Sequence, residues 1–419
     1  MADEWANSRL ADLSVNFDGR RRPVKESDRR SGPYPYYGAS GIVDHVDGFL
    51  FDGEYLLVAE DGENLRTRQT PIAFLARGRF WVNNHAHIIT GNERADTRFL
   101  MYALRHVDID AYLTGAVMPK LTQGNLNRIE VSHPPLAEQR AIADVLGALD
   151  DKIEQNQRTA RALERLAQAI FRAWFVDLEP VKAKTAGATS FPGMPQPVFD
   201  ALPTRFIDSD IGPVPEGWEV GTVSDLAVLS KEQVNPQDLR EEHFEHFSIP
   251  AFDAGQNPVV ELGAAIKSNK FLVVDGCVLL SKLNPRIPRV WLPPTTDKGR
   301  PIASTEFLVL IPSNGFDRHY LYCQFQQPAF REDLARSASG TSNSHQRVRP
   351  NDLLAKPVLI PSATARHSFQ EIVVPLFALL ASSHIESRRL AAMRDYLLPK
   401  LLSGYVRVIL DSGSKEPSA

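Results

Sequence analysis

The sequence predicts an α+β protein: two α/β domains with mixed or antiparallel sheets, separated by two long antiparallel coiled-coil helices, in a pseudo-two-fold internal repeat. Three observations support this fold class. Two segments carry a heptad pattern and align at one offset, short strand-like runs are set apart by turn residues, and further residues match between the two halves of the chain. Each half is therefore expected to hold one globular domain followed by one long helix.

The first heptad segment spans residues 136–175, where apolar residues recur with alternating gaps of four and three. This spacing is typical of a helix that packs through one narrow stripe, here called the seam, onto another helix. The apolar seam residues are Ile142, Leu146, Leu149, Ile153, Ala160, Leu163, Ala167, Ile170 and Trp174. Asn156 is the polar member. A buried amide in a seam costs stability but fixes register, so Asn156 is interpreted as a pairing device.

The second heptad segment matches the first at an offset of 227 residues. Its seam residues are Phe369, Val373, Leu376, Leu380, Ser383, Ser387, Leu390, Arg394, Leu397 and Leu401. Two unrelated amphipathic helices would be the simpler alternative, but ten positions aligned at a single offset favour a duplicated helix. The two helices are expected to pack against each other.

The repeat extends upstream, because Trp5, Leu10, Asp12 and Leu13 reappear as Trp218, Val223, Asp225 and Leu226. The offset there is 213 residues, so the second globular domain carries insertions, which belong in loops. Strands are predicted at residues 55–59 after a turn at Asp52-Gly53, at 72–76, 80–82, 87–90, 278–280 and 306–311. Helices are predicted at residues 97–106 and 317–330.

Six regions follow from these patterns. They are a first globular domain at residues 1–133, a first spacer helix at 134–180, a linker at 181–214, a second globular domain at 215–361, a second spacer helix at 362–404 and a C-terminal tail at 405–419. The stretch 181–215 is rich in Pro, Gly, Ala and Ser, so an extended connector is expected there.

Composition narrows the class of protein. The net charge of −4 excludes a uniformly basic nucleic-acid binder, so any DNA contact must come from local patches. Cys277 and Cys323 are the only cysteines, which fits a reducing cytosol. No apolar run appears to be of membrane-spanning length, and residues 1–16 lack the features of a signal peptide. A cytoplasmic protein is expected.

Two kinds of loop have the composition of a DNA-binding surface. Residues 19–30, GRRRPVKESDRR, are rich in cations and precede the aromatic and glycine-rich stretch 33–41. This mixture suits phosphates and bases, although a solvated surface or the entry to a core strand would look similar. The glycine-centred loops 114–122 and 339–349 lie at equivalent places in the repeat, and each sets small hydroxyl residues beside a cation.

Catalytic motifs are missing. There is no G-x-x-x-x-G-K-[ST] loop and no G-x-S-x-G, and Asn284-Pro285-Arg286 lacks the aromatic residue of amino-methyltransferase motifs. No strand shows the paired carboxylates followed by lysine of a metal-dependent nuclease. His85 and His87 have no acidic third ligand at a suitable spacing, so no metal site is predicted. The sequence indicates a scaffold and recognition surface.

Several motifs together resemble one known family. They are Tyr36-Tyr37-Gly38-Ala39-Ser40-Gly41, Asp52-Gly53 before Leu56-Leu57, Thr114-Gly115 before Pro119-Lys120-Leu121, Pro134-Pro135-Leu136-Ala137-Glu138-Gln139-Arg140-Ala141-Ile142, Ile153-Glu154-Gln155-Asn156, Ala173-Trp174-Phe175-Val176-Asp177 and Leu397-Leu398-Pro399-Lys400-Leu401-Leu402-Ser403-Gly404. This set resembles the specificity (S) subunits of type I restriction-modification systems over essentially the whole chain. One departure is that the second helix opens with Ser362-Ala363-Thr364-Ala365-Arg366 where Pro-Leu-Ala-Glu-Gln would be expected.

The resemblance implies two target-recognition domains, each reading one half of a split double-stranded DNA site. It further implies methyltransferase subunits, expected to be two, and restriction or translocase subunits as partners. The chain itself would be non-catalytic and hold no cofactor, and S-adenosylmethionine, ATP and magnesium would belong to the partners. Because the loops have diverged between the repeats, the two half-sites are expected to differ.

Candidate site residues follow from the loops and the seams. The candidate DNA-binding residues are Lys25, Arg29, Tyr36, Tyr37, Ser40, Lys120, Thr122, Gln123 and Asn125 in the first domain, and Lys282, Asn284, Arg286, Thr341, Ser344, His345, Arg347 and Arg349 in the second. The candidate helix-pairing residues are Ile142, Leu146, Leu149, Ile153, Asn156, Leu163, Ile170, Leu376, Leu380, Ser383, Leu390 and Leu397. Two alternatives stay open: a stand-alone or architectural DNA-binding protein, and the recognition part of a nuclease with an unrecognised active site.

Overall fold

The computed structural model describes residues 5–115, 117–294, 298–338 and 346–408. The chain divides into two compact units, the first formed by residues 1–156 with 385–419 and the second by residues 157–384. Both boundaries fall inside long helices, so each unit contains part of both. Each unit also holds a mixed sheet, and the predicted α+β class with an internal repeat is confirmed.

The first unit is built on a six-stranded sheet. Its strands, in spatial order, are Ser14–Asn16, Ala86–Gly91, Phe51–Ala59, Ala73–Val82, Ser31–Gly38 and Gly41–Val46. All neighbours are antiparallel except the fourth and fifth strands, which are parallel. One cluster of buried residues contains Phe51, Leu57 and Phe80, and a second contains Leu56 and Phe99, as expected when alternate residues of a strand point to opposite faces.

Two strand predictions for this sheet are wrong in detail. The predicted turn at Asp52-Gly53 lies inside the strand Phe51–Ala59, and the predicted strands 72–76 and 80–82 form the single strand Ala73–Val82. Gly53 pairs directly with Gly78, and both have positive φ values, +136° and +74°. Glycine tolerates these angles without a steric clash, so the ladder continues where the sequence suggested turns.

The second unit contains a four-stranded and a five-stranded sheet. The antiparallel four-stranded sheet has the order Ala227–Ser230, Phe307–Pro312, Val278–Ser281 and Val290–Trp291. The five-stranded sheet has the order Gln233–Val234, Lys270–Leu272, Arg300–Ala303, His243–Phe247 and Val259–Leu262, with one parallel pair. The second sheet accounts for the insertions that the changing offset predicted.

The internal repeat appears in one shared backbone arrangement. A two-stranded antiparallel sheet joins Ala6–Arg9 to Glu130–His133 in the first unit and Glu219–Thr222 to Pro357–Ile360 in the second. A helical turn follows the first strand of each pair, at Leu10–Leu13 and at Val223–Leu226. The Leu10 N–H donates to the Ile129 carbonyl (2.8 Å), and the Val223 N–H donates to the Lys356 carbonyl (3.0 Å). Both sequence offsets, 213 and 227, therefore meet in one equivalent contact.

The helix Thr97–His106 has the predicted bounds, but the predicted helix 317–330 is two helices, Arg318–Gln326 and Pro328–Arg336. Gln327 is extended (φ −62°, ψ 132°), as expected for a residue that precedes proline. The other short helices are Asn64–Thr67, Gln123–Arg128, Ile249–Asp253 and Pro350–Leu354. The 3₁₀ turns are Asp18–Arg20, Glu26–Asp28, Asp110–Tyr112, Pro236–Leu239, Gly263–Ala265 and Gly315–Asp317.

The predicted extended linker is folded, and that prediction is wrong. It contains the helices Glu179–Thr185 and Gln196–Asp200 and the paired strands Phe206–Ile207 and Val214–Pro215. Val181 and Phe199 are almost fully buried in the main core of the second unit. The few apolar residues between the prolines anchor this segment, because burying each of them removes apolar surface from water.

The first long helix, Leu136–Phe171, follows Pro134-Pro135 and continues into a π-helical turn at Arg172–Val176. The second, Ala363–Leu402, ends before Gly404, which has φ +70°. In the first unit the Arg394 guanidinium contacts the Asp150 carboxylate (2.7 Å), and the Asn156 amide donates to Glu386 (2.8 Å).

In the second unit, the rings of Phe171 and Trp174 pack against Phe369. The start of each helix therefore lies beside the end of the other, which confirms the antiparallel arrangement.

The seam residues of both helices are buried or half-buried. Apolar residues off the seam, such as Val145, Leu166, Leu379 and Met393, are exposed. The second long helix is long and apolar enough to cross a membrane by length and composition alone, with a mean hydropathy of 1.3. The expectation that no apolar run reaches that length is wrong on this measure. The same helix nevertheless places Phe369 and Val373 in a protein core, as core helices of soluble proteins do.

Replacing Phe369 by alanine is expected to destabilise the second unit by about 4 kcal/mol, because the ring is fully buried against Phe171, Trp174 and Phe175. Denaturant unfolding of the full chain measures the loss. Leu379→Ala on the same helix is the matched control, since Leu379 is 52% exposed. Equal effects of the two substitutions would contradict the packing described.

Candidate nucleic-acid interface

The two units present their candidate recognition loops on the same backbone scaffold. The residue after Lys120 and the residue after Arg347 each donate an N–H to the end of a core strand: Leu121 to the Glu60 carbonyl (2.7 Å) and Val348 to the Lys282 carbonyl (2.9 Å). Single β-bridges join Asp61 to Lys120 and Leu283 to Arg347. Lys120 and Arg347 therefore occupy equivalent positions, as the sequence alignment predicted.

The chain reverses direction at the next equivalent position in both units. Gly62 has φ +110° and donates its N–H to the Pro119 carbonyl (3.1 Å), whereas Asn284 has φ +50° and donates to the Gln346 carbonyl (2.9 Å). Asparagine is one of the few residues that adopt this left-handed conformation readily. The buried Asn284 Oδ1 has no hydrogen-bond partner among the described residues. The second unit thus carries a polar side chain where the first unit has none.

Both equivalent cations are held in ion pairs. Lys120 Nζ lies 3.3 Å from Glu60 Oε1, and Arg347 makes a two-pronged contact with Glu306 (3.0 and 3.1 Å). Their side chains are 50% and 47% exposed, so each cation remains accessible to a ligand. A phosphate could bind there by competing with the carboxylate, which weakens the contact but makes it more selective in position.

The Glu60 carboxylate belongs to a charged cluster beneath the first loop. Arg21 Nη1 donates to Glu60 at 2.6 Å. Burial alone would raise the pKa of Glu60, but the hydrogen bond from Arg21 and the charge of His87 outweigh it and the pKa is lowered. Glu60 therefore stays ionised and continues to hold Lys120.

His87 is fully buried, and both of its ring nitrogens face oxygen atoms. Nδ1 lies 2.6 Å from Asp18 Oδ2, and Nε2 lies 2.7 Å from the Leu121 carbonyl. Both contacts can be hydrogen bonds only when the ring carries two protons. Burial would raise the pKa of Asp18, but the hydrogen bond and charge of His87 lower it. This pair fixes the backbone of the first recognition loop from below.

The predicted cation and aromatic stretch at residues 25–40 is partly structural. Lys25 and Ser40 are exposed, with Ser40 in the turn between two strands. Tyr36 is fully buried, its hydroxyl accepts the Val24 N–H, and Arg29 stacks on its ring while contacting Asp44. Tyr36 therefore has a core role in this structure and cannot contact DNA directly, which corrects the prediction for this residue.

Tyr37 is half-buried beside Phe74 and Phe80, and burial raises the pKa of its hydroxyl. Thr122 caps the helix Gln123–Arg128 by accepting the Asn125 N–H, and the Asn125 amide donates to the Tyr112 carbonyl. Gln123 is exposed and donates to Asn16. These side chains lie next to Lys120 in sequence but are already engaged.

In the second unit, Arg286 and Arg349 are exposed, while Lys282 is half-buried. The candidates Thr341, Ser344 and His345 lie outside the described residues. The assignment of individual DNA contacts therefore stays a prediction for all of these positions. Among the described residues, no group of three or more His, Cys, Asp or Glu side chains could hold a metal ion.

The structure adds two candidates that the sequence analysis missed. Val117 and Met118 are 95% and 63% exposed in the loop between Thr114 and Lys120, whose backbones exchange hydrogen bonds of 2.8 and 2.7 Å. Consecutive apolar residues within a loop bounded by glycine and proline were the available signal. Exposed apolar groups beside a cation can contact the methyl group of thymine.

The comparisons with known proteins agree on one family. Residues 2–165 match the family model described as type I restriction modification DNA specificity domain. The chain is 41% identical over 146 residues to a Haemophilus influenzae protein provisionally named a type I restriction enzyme specificity subunit, a match covering 35% of this chain and 37% of that relative.

It is 23% identical over 436 residues to the MjaIX specificity subunit of Methanocaldococcus jannaschii, covering 97% and 94% of the two chains. A crystal structure of the type I restriction-modification S subunit from M. genitalium has the same fold. It superposes with a TM-score of 0.61 at 15% identity, covering 95% of this chain and 96% of the other.

The substitution Asp18→Asn is expected to lower the free energy of unfolding by about 3 kcal/mol at neutral pH, because it leaves His87 buried without its counter-charge. The pKa of Asp18 is lower in the folded than in the unfolded chain. Its contribution is therefore complete above about pH 4 and is lost as the pH falls through the folded-state pKa.

Denaturant unfolding of both proteins between neutral pH and about pH 3 tests this prediction, and the difference between them should shrink at the acid end. Asp52→Asn is the control, since Asp52 is 58% exposed in its pair with Arg79. A difference that is independent of pH would refute the assigned role of the Asp18 carboxylate.

Proposed function

The chain belongs to the specificity subunits of type I restriction-modification systems, and from this premise we propose that it recognises a bipartite, asymmetric DNA target through two recognition domains. Specificity subunits are non-catalytic, so the chain is not an enzyme. Methyltransferase subunits, two in our proposal, and restriction or translocase subunits would assemble on it. S-adenosylmethionine, ATP and magnesium would be bound by those partners, in the cytoplasm.

One observation carries the proposal of a split target with unlike halves. The two units share the backbone contacts that place Lys120 and Arg347, yet the neighbouring equivalent positions differ in chemistry. The strand end is Glu60 in one unit and Lys282 in the other, and the reversing residue is Gly62 in one and Asn284 in the other. Because base readout depends on donors, acceptors and apolar groups at fixed positions, different side chains on one scaffold favour different half-sites.

The two long helices support a role in setting the distance between half-sites. Each is continuous over 36 and 40 residues, and a helix of that length extends roughly 55–60 Å. One turn of duplex is about 34–36 Å long. A paired, regular helix cannot change its length gradually, so the spacer in the DNA should be fixed to the base pair.

The most direct test is co-purification with a methyltransferase from the native host, followed by sequencing of methylated positions in its genome. A split, non-palindromic motif with a constant spacer is expected. Tight and selective DNA binding by the isolated chain, with no partner, would favour a stand-alone DNA-binding protein. Cleavage of DNA by the pure chain with magnesium would refute the non-catalytic role.

Deleting one heptad from each long helix, residues 153–159 and 380–386, should shorten the recognised spacer while both half-sites stay the same. Seven residues contribute about 10 Å, which corresponds to about three base pairs of duplex. Selection from a library of half-sites with variable spacers measures the change. Inserting one heptad in each helix is the matched control and should lengthen the spacer equally. An unchanged spacer in both variants would reject the proposed spacer role.

Arg347→Ala should weaken DNA binding and reduce the slope of log affinity against log salt by about one unit, since one phosphate contact is lost. Glu306→Ala should act in the opposite direction, because it removes the carboxylate that competes for Arg347. Lys120→Ala should give the same loss as Arg347→Ala, but for the other half-site. If neither the affinity nor the salt slope changes in these variants, the two cations do not contact DNA.

A further inference from the structure

The second unit has a cleft whose lining is dominated by guanidinium groups. Its volume is about 430 Å³. The residues that line it are Arg286, Pro328, Arg331, Glu332, Ala335 and Arg336. Only Arg286 belongs to the candidate DNA-binding residues found from the sequence, and the two other arginines have no role in the site described above.

Five of the six lining residues lie on one helix at positions 328, 331, 332, 335 and 336. Steps of three and four residues place side chains on a single face of an α-helix. The opposite face carries Phe330 and Leu334, which are buried in the main core. The helix is therefore anchored by its apolar face, and its charged face is held against the loop that carries Arg286.

Arg331 joins the helix to that loop. Its Nη2 donates to the Arg286 carbonyl (2.5 Å), and the Ile287 N–H donates to the Asn284 carbonyl (2.9 Å), closing a turn around Arg286. Arg331 Nε is buried and has no hydrogen-bond partner within the described part of the chain. A buried donor without a partner costs free energy unless an acceptor from outside satisfies it.

The charge around the cleft is unbalanced. Glu332 is the one acidic residue among the six that line it. The nearby Asp333 is bound by Lys356 (2.7 Å) and Arg336 (3.4 Å), and the hydrogen bond from Lys356 lowers its pKa. Three guanidinium groups with a single unpaired carboxylate among them favour an anion with several acceptor oxygens.

We propose that this cleft binds a phosphate group of the DNA backbone beside the half-site read by the second unit. The inference rests on the proposed function, because it assumes that this unit binds DNA. Arg286 follows Asn284 by two residues, and Asn284 is bonded to the backbone of Gln346, the residue before Arg347. A phosphate in the cleft would thus lie next to the recognition loop and position it on the duplex without reading a base.

The test compares the wild type with Arg286→Ala and Arg336→Ala in the full chain, assembled with its methyltransferase partner. Arg205→Ala is the matched control, because Arg205 is in the same unit, is 75% exposed and pairs with Glu216. Each cleft variant should weaken binding roughly ten-fold for specific and unrelated DNA alike and reduce the salt slope by about one unit. The control should match the wild type.

Two further measurements locate the contact. Replacing single phosphates of the target by neutral methylphosphonates should reveal one position near the second half-site that weakens wild-type binding and has no effect in Arg286→Ala. Glu332→Gln should tighten binding, since it removes the carboxylate from the cleft.

Failure of the inference is distinguishable from failure of the proposed function. If the wild type selects no DNA motif, the proposed function fails. If it selects one and the cleft variants bind with unchanged affinity and salt slope, the cleft does not hold a phosphate. Loss of the methyltransferase partner without loss of the DNA contact would assign the cleft to an acidic protein surface and overturn the proposal.

Discussion

The pairing of the two long helices is the constraint on which the rest of the structure depends. Neither compact unit is a continuous stretch of chain: the first needs residues 385–402 and the second needs residues 157–171. In the first unit, Leu401 and Leu402 join the core that contains Leu10 and Ile142. The globular fold of each unit therefore cannot be completed until sequence-distant helix segments meet, and changes in the seam reach both units.

The charged groups beneath the recognition loops show how rigidity and binding are combined. Glu60 holds Arg21 and Lys120, and the pair of Asp18 with His87 fixes the Leu121 carbonyl. These contacts keep a cation in a defined place instead of leaving it free in solvent. A phosphate must then replace a carboxylate, so part of the electrostatic attraction is given up in exchange for a defined geometry.

The cleft of the second unit extends this logic with a different balance of charge. At Arg347 the compensating carboxylate of Glu306 is already in contact, whereas Arg331 retains a buried donor without a partner. One cation thus exchanges partners on binding, and the other acquires one. The two kinds of contact have different energetic costs, because breaking an exposed ion pair costs little while leaving a buried donor unsatisfied costs more.

The sequence by itself determined the repeat, the two helices and the equivalence of Lys120 with Arg347, because heptad spacing and a constant offset are properties of residue order alone. It could not show that Gly53 lies within a strand, that Phe199 anchors the supposed linker, or that Tyr36 is buried beneath Arg29. Those outcomes depend on which partners the fold brings together. The cleft of Arg286, Arg331 and Arg336 is of the same kind, since a helix face and a loop some forty residues away acquire a shared electrostatic role only when tertiary packing sets them side by side.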